Sequence, residues 1–221
     1  MGAAPNKKAV MHATLFSGAI ITSTSVWIKR CAFGFLLCCA AVAQAHTGDA
    51  QADGFIAGVL HPLTGFDHLL AMVAVGIWGA TLGMPLLWVL PVAFPLMMVV
   101  GGVLGIFGVP LPFVESGIAV SVIVLGLAIA MAWRAPMAVA VAIVAAFGVF
   151  HGHAHGAELP TAASPAAYVA GFVVCTGALH LLGIAIGALK ALPKGAQVLR
   201  VGGGLIALAG VWILIGSPGA A

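Results

Sequence analysis

The sequence predicts an all-α membrane protein, a six-helix transmembrane bundle after a cleaved N-terminal signal peptide. Three observations lead there. The 221-residue chain is 63% hydrophobic and 6% charged, whereas soluble domains are about 45–50% apolar and 25% charged. Its mean hydropathy is +1.22. The apolar residues also fall into long runs divided by short Pro/Gly breaks. A lipid-crossing helix needs about 20 mostly apolar residues, because every backbone polar group must then find its partner within the helix.

Residues 1–45 read as the signal peptide. Lys29 and Arg30 form its positive region, Cys31 to Val42 its apolar region, and Ala43-Gln44-Ala45 a small-residue cleavage site. An uncleaved first transmembrane helix is the alternative reading of this segment. Cleavage removes Cys31, Cys38 and Cys39, leaving Cys175 as a small buried apolar residue with no partner for a disulfide.

Residues 46–221 form the six-span domain. Residues 53–61 are a short helical lead-in broken by Pro62 and Gly65. The spans are expected at 66–83, 84–107, 113–133, 136–155, 166–190 and 197–216, with a loop over 156–165. With the mature N-terminus outside the cytoplasm, Arg134, Lys190, Lys194 and Arg200 all fall at cytoplasmic connections. Asp49, Asp53, Asp67, Glu115 and Glu158 fall on the opposite side. The expected placement is the bacterial inner membrane, with both mature termini periplasmic. Glycines at four-residue spacing (Gly79/Gly83, Gly101/Gly105, Gly148/Gly152/Gly156, Gly183/Gly187) suit close helix packing. A faint repeat pairs Thr64–Leu70 with Thr176–Leu182, on spans that run the same way.

The topology gathers the remaining polar residues at the outer side. His61-Pro62-Leu63-Thr64-Gly65-Phe66-Asp67-His68 opens the first span, and Glu115 opens the third. His151, His153 and His155 close the fourth, with Glu158 just beyond and His180 deeper in the fifth. An ionised group at mid-membrane costs about 2.5–3.5 kcal/mol, so those retained there usually bind, pair or relay something. Imidazoles with carboxylates suit borderline divalent ions such as Ni²⁺, Co²⁺, Zn²⁺ and Cu²⁺.

Each residue also has a plainer reading. Thr64 and Asp67 form a capping-box-like pattern. His68 could be a hydrogen-bonded packing residue, and His180 could bond a nearby carbonyl. Glu115 could serve its helix dipole. If the fourth helix continues through the His-rich run, His151 and His155 share a face that Glu158 extends, and His153 points elsewhere. If it stops at Gly152, the run is a flexible His-rich tract or a solvated loop. His46, first in the mature chain, could chelate through its amine and ring. No phosphate-binding loop, catalytic nucleophile arrangement or nucleic-acid surface is present in the sequence.

The motif His61-Pro62-x-x-Gly65-x-Asp67-His68-Leu69-x-Ala71-Met72-Val73-Ala74-Val75-Gly76 resembles the signature of the HupE/UreJ family of membrane nickel permeases. Phe150-His151-Gly152-His153-Ala154-His155-Gly156-x-Glu158 and Leu179-His180-x-x-Gly183 are similar to that family too. The resemblance implies ATP-independent uptake of Ni²⁺, or Co²⁺, for enzymes such as hydrogenase or urease. It places the important positions at His61, Asp67, His68, Glu115, His151, His155 and Glu158. The expectation is a permease and not an enzyme. Its ion is cargo, no cofactor is permanently bound, and its partners are a divalent metal ion and the lipid bilayer; a homo-oligomer is compatible with this reading. The alternatives are a membrane-embedded metal-dependent enzyme, a haem protein ligated by His68 and His180, or a metal-binding accessory protein without transport.

Overall fold

The computed structural model describes residues 49–157 and 164–216. The expected signal peptide, His46 and Glu158 lie outside the described residues. Among the described residues every regular element is helical: α1 Asp49–Thr64, α2 Phe66–Leu82, α3 Leu86–Ile106, α4 Val114–Ala130, α5 Met137–Ala157, α6 Pro165–Gly187 and α7 Gly195–Gly216, with a 3-10 turn Ala188–Ala191 before α7.

Four helices (α3, α5, α6 continued by its 3-10 turn, and α7) are long and apolar enough to cross a membrane. The pair α1/α2, bent by 80° at Gly65, counts as a fifth when taken as one span. The expected count of six is therefore met only in part. Helix α4 is apolar but has 17 residues, which at about 1.5 Å per residue falls short of a typical hydrocarbon core. The length and composition of these helices make this a multi-pass membrane protein.

The expected break at Pro62 is not where the chain bends. Helix α1 continues through Pro62 to Thr64, and the bend comes at Gly65, whose extended backbone begins α2. A proline removes one N–H donor, so Pro62 costs the helix the bond to the Gly58 carbonyl, while the Gly65 N–H still bonds the His61 carbonyl at 3.1 Å and the helix closes. The capping box is not formed either. The Thr64 hydroxyl donates back to the His61 carbonyl at 3.0 Å, and Asp67 turns to His68.

Packing follows the glycines. Helix α3 lies against α5, α4 against α7, and α6 against both α1 and α2. The α3–α5 seam is close: a Cβ on Gly101 would overlap the Val149 carbonyl, and one on Gly152 the Met98 carbonyl. Only a residue without a side chain permits that approach, which is how helices associate where lipid removes the hydrophobic drive. Trp78, Phe94, Met72 and Leu90 fill the interior. Leu96, Val99, Leu205, Leu208, Trp212 and Ile215 face outward, an apolar exterior suited to acyl chains.

Candidate functional site

The bend at Gly65 places the end of α1 and the start of α2 beside the last turns of α5. His61 comes from α1, Asp67 and His68 from α2, and His151 and His155 from α5, which is helical through Ala157. The His61 ring centre is 4.6 Å from that of His155 and 6.1 Å from that of His68. His68 lies 4.5 Å from His155 and 4.8 Å from His151. Four imidazoles from three helices thus form one cluster, with Tyr168 and Phe172 of α6 bordering His61 and His155. A cavity of about 160 Å³ lies against His155, walled by Met98, Gly152, Tyr168 and Phe172 among others.

Two of these rings are held by specific partners. Asp67 Oδ1 accepts both the backbone N–H of His68 and its ring Nδ1, each at 2.7 Å. His151 is fully buried, and its Nε2 lies 2.9 Å from the Ser121 hydroxyl of α4. The nitrogens facing the other way are buried without a hydrogen-bond partner: His68 Nε2, His151 Nδ1 and both ring nitrogens of His155. Buried polar atoms almost always find partners, so a cluster of such nitrogens marks a place where something polar is received.

Donors at about 2 Å from a bound ion put neighbouring imidazole rings roughly 4.5–5 Å apart, centre to centre, a spacing met by His61–His155, His68–His151 and His68–His155 but not by His61–His68. Among the described residues, however, no three His, Cys, Asp or Glu side chains are aimed together as a formed metal centre would hold them. The cluster has the donors and spacing for a divalent ion but not a closed cage.

The other predicted residues lie apart from this cluster. His180, 2% exposed, lies in the interior of α6, beside Phe94. The Phe94 ring is 5.3 Å from His151 and 5.7 Å from His180. Both His180 nitrogens and the buried Thr176 hydroxyl one turn earlier on α6 lack partners, so the carbonyl bond weighed for His180 is not made. His153 turns away from the cluster and bonds the Val109 carbonyl at 2.7 Å. Glu115 is exposed in the first turn of α4. Cys175 is buried and free.

Ser121, Thr176 and the bordering aromatic rings were not singled out from the sequence. The only signal for the first two is a hydroxyl within an apolar run. Such a hydroxyl commonly bonds its own helix backbone, and Ser121 does so as well, donating to the Ile118 carbonyl at 2.6 Å.

The opposite end of the bundle is organised differently. Lys190 donates to the Ala80 and Thr81 carbonyls at the end of α2. Arg200 Nε donates to the Ala130 carbonyl at the end of α4, at 2.9 Å. The buried Trp78 donates to the Trp133 carbonyl at 3.2 Å, and the two indoles stack. Basic side chains at helix C-termini satisfy orphan carbonyls and complement the dipole. Arg134, Lys190 and Arg200 line a cavity of about 120 Å³ there.

Comparison with known proteins agrees with this picture. Residues 34–213 match the family model described as HupE / UreJ protein. The chain is 49% identical over 175 residues to Protein HupE of Rhizobium leguminosarum bv. viciae, an alignment covering 79% of this chain and 91% of that protein. No solved structure matches significantly. The imidazole cluster at the α1–α2 bend is thus carried by a chain that belongs to the HupE/UreJ family.

Proposed function

We propose that this protein takes up a divalent transition metal, Ni²⁺ or the closely similar Co²⁺, from the periplasm into the cytoplasm by facilitated diffusion. On this reading it supplies nickel enzymes such as hydrogenase or urease. The observation that carries the reading is the set of buried, unpartnered imidazole nitrogens on α2 and α5 within a multi-pass membrane protein. Membership of the HupE/UreJ family supports it.

The mechanism follows from the chemistry. His61, Asp67 and His68 meet the ion at the bend, and His151 and His155 replace part of its hydration shell. A permeation site must bind well enough to admit the ion and weakly enough to release it. Imidazoles spaced for an ion but not closed around it suit that balance better than a rigid cage. His180, beside Phe94, and Thr176 offer the next polar station. Glu115 and Glu158 add carboxylates for the approach, with His46 and His153 as further donors outside the cluster. With the bent α1/α2 pair and the short α4 each taken as a crossing, the chain crosses six times, and basic connections inside with both mature termini outside orient the cluster toward the periplasm. An inward-negative potential contributes about 2.3 kcal/mol per charge per 100 mV, so a divalent ion moves inward without ATP.

The test is ⁶³Ni uptake by cells producing the protein or its Asp67→Ala and His68→Ala variants at matched membrane levels. Uptake above control cells, reduced at least tenfold in both variants, is expected. Equal uptake in all three rejects the proposal.

A further inference from the structure

We propose that Ser121 is a positioning residue that holds the His151 proton on Nε2, so that Nδ1 is presented to the ion as a lone pair. The inference rests on the permease reading and adds a residue on α4, a helix that contributes no imidazole to the cluster.

Counting hydrogens fixes the direction of each bond at Ser121. The Ser121 hydroxyl has a single proton. Its oxygen lies 2.6 Å from the Ile118 carbonyl, and two oxygens that close repel unless the proton lies between them. The hydroxyl therefore donates to Ile118. The remaining contact, 2.9 Å to His151 Nε2, must run the other way, with Nε2–H donating to the serine oxygen. A neutral imidazole with its proton on Nε2 carries its lone pair on Nδ1, and that atom is buried with no protein partner.

Asp67 does the same for His68 with the nitrogens exchanged. The carboxylate accepts from Nδ1 and leaves Nε2 bare and buried. Only an unprotonated imidazole nitrogen binds a metal ion, and a hydrogen bond to the far nitrogen is the usual way a protein selects it. Two neighbouring rings, 4.8 Å apart and nearly perpendicular, thus receive opposite tautomers from two different partners. Ser121 and His151 are both fully buried, so water does not compete for the bond.

The experiment reads the tautomer without metal and transport with it. Solid-state ¹⁵N NMR of histidine-labelled protein in lipid, with His151 assigned by its loss in His151→Gln, should show Nε2 protonated in the wild type. In Ser121→Ala the His151 signals should become a mixture of both tautomers. In Ser121→Thr, which keeps the hydroxyl, they should stay as in the wild type. The KM for ⁶³Ni uptake should rise 10–100-fold in Ser121→Ala, the usual range for a lost outer partner of a ligand, and recover in Ser121→Thr. A wild-type His151 protonated on Nδ1 overturns the proposal. So does a Ser121→Ala protein that keeps one tautomer and wild-type uptake. If Ser121→Thr does not fold, the tautomer measurement on Ser121→Ala decides alone. Absence of nickel uptake by the wild type would instead overturn the permease reading, and the metal-free spectra keep the two failures apart.

Discussion

At the end of the bundle where α2 begins, imidazole nitrogens of His68, His151 and His155 are buried with nothing to bond. At the end where α2 stops, Lys190, Arg200 and Trp78 each reach a backbone carbonyl of another element. Both ends place polar side chains against apolar helices. At the basic end Lys190 and Arg200 answer carbonyls that helix termini leave orphaned and Trp78 answers one in the α4–α5 connection, so folding itself uses these donors. At the histidine end a carboxylate and a serine each occupy one nitrogen of a ring, and the other nitrogen is left over. Buried polar groups without partners destabilise a fold by about 1–3 kcal/mol each. On the proposed reading the histidine end keeps donors available for an ion, and the basic end is scaffold.

The largest effect is expected at His155. His155→Leu removes an imidazole with two unpartnered nitrogens. Nickel uptake should fall more than tenfold, while thermal stability in detergent holds or rises. A drop in stability parallel to the loss of uptake would show that the ring is structural. Next, Lys190→Met removes the donor shared by the Ala80 and Thr81 carbonyls. Stability should fall by about 1–3 kcal/mol, with uptake per folded molecule within twofold of the wild type. Lost uptake at unchanged stability would make the basic end part of the ion path. The smallest effect is expected for His153→Ala. That ring bonds a turn carbonyl on the exposed side, and its loss should change uptake and melting temperature little, less than twofold for uptake. A tenfold loss of uptake would extend the site to the α3–α4 turn.

Much of this architecture was legible before any coordinates. Helices that cross lipid announce themselves by length and composition, and the expected spans agree with the helices to within a few residues. The i, i+4 spacing of His151 and His155 correctly placed them on one face once α5 ran through Ala157, and it correctly turned His153 aside. The error at Pro62 has a local cause. Proline is read as a helix breaker, yet it removes only one backbone bond here, and the glycine three residues later takes the bend. Ser121 was invisible for another reason. A hydroxyl in an apolar helix has a backbone acceptor within its own turn, and nothing in the sequence says which ring from another helix will use its second contact.

From the sequence alone follow a helical, multi-pass chain and the polar residue types that its apolar helices carry. These follow from hydropathy, charge and spacing along one strand of chain, which are local quantities. It took the packed fold to show that α1, α2 and α5 bring four imidazoles together, that the Phe94 ring neighbours both His151 and His180, and which nitrogens of His68 and His151 have a protein partner. Those facts depend on which helices touch. That is set by glycine seams and by the 80° bend at Gly65, where backbones distant in sequence come within contact.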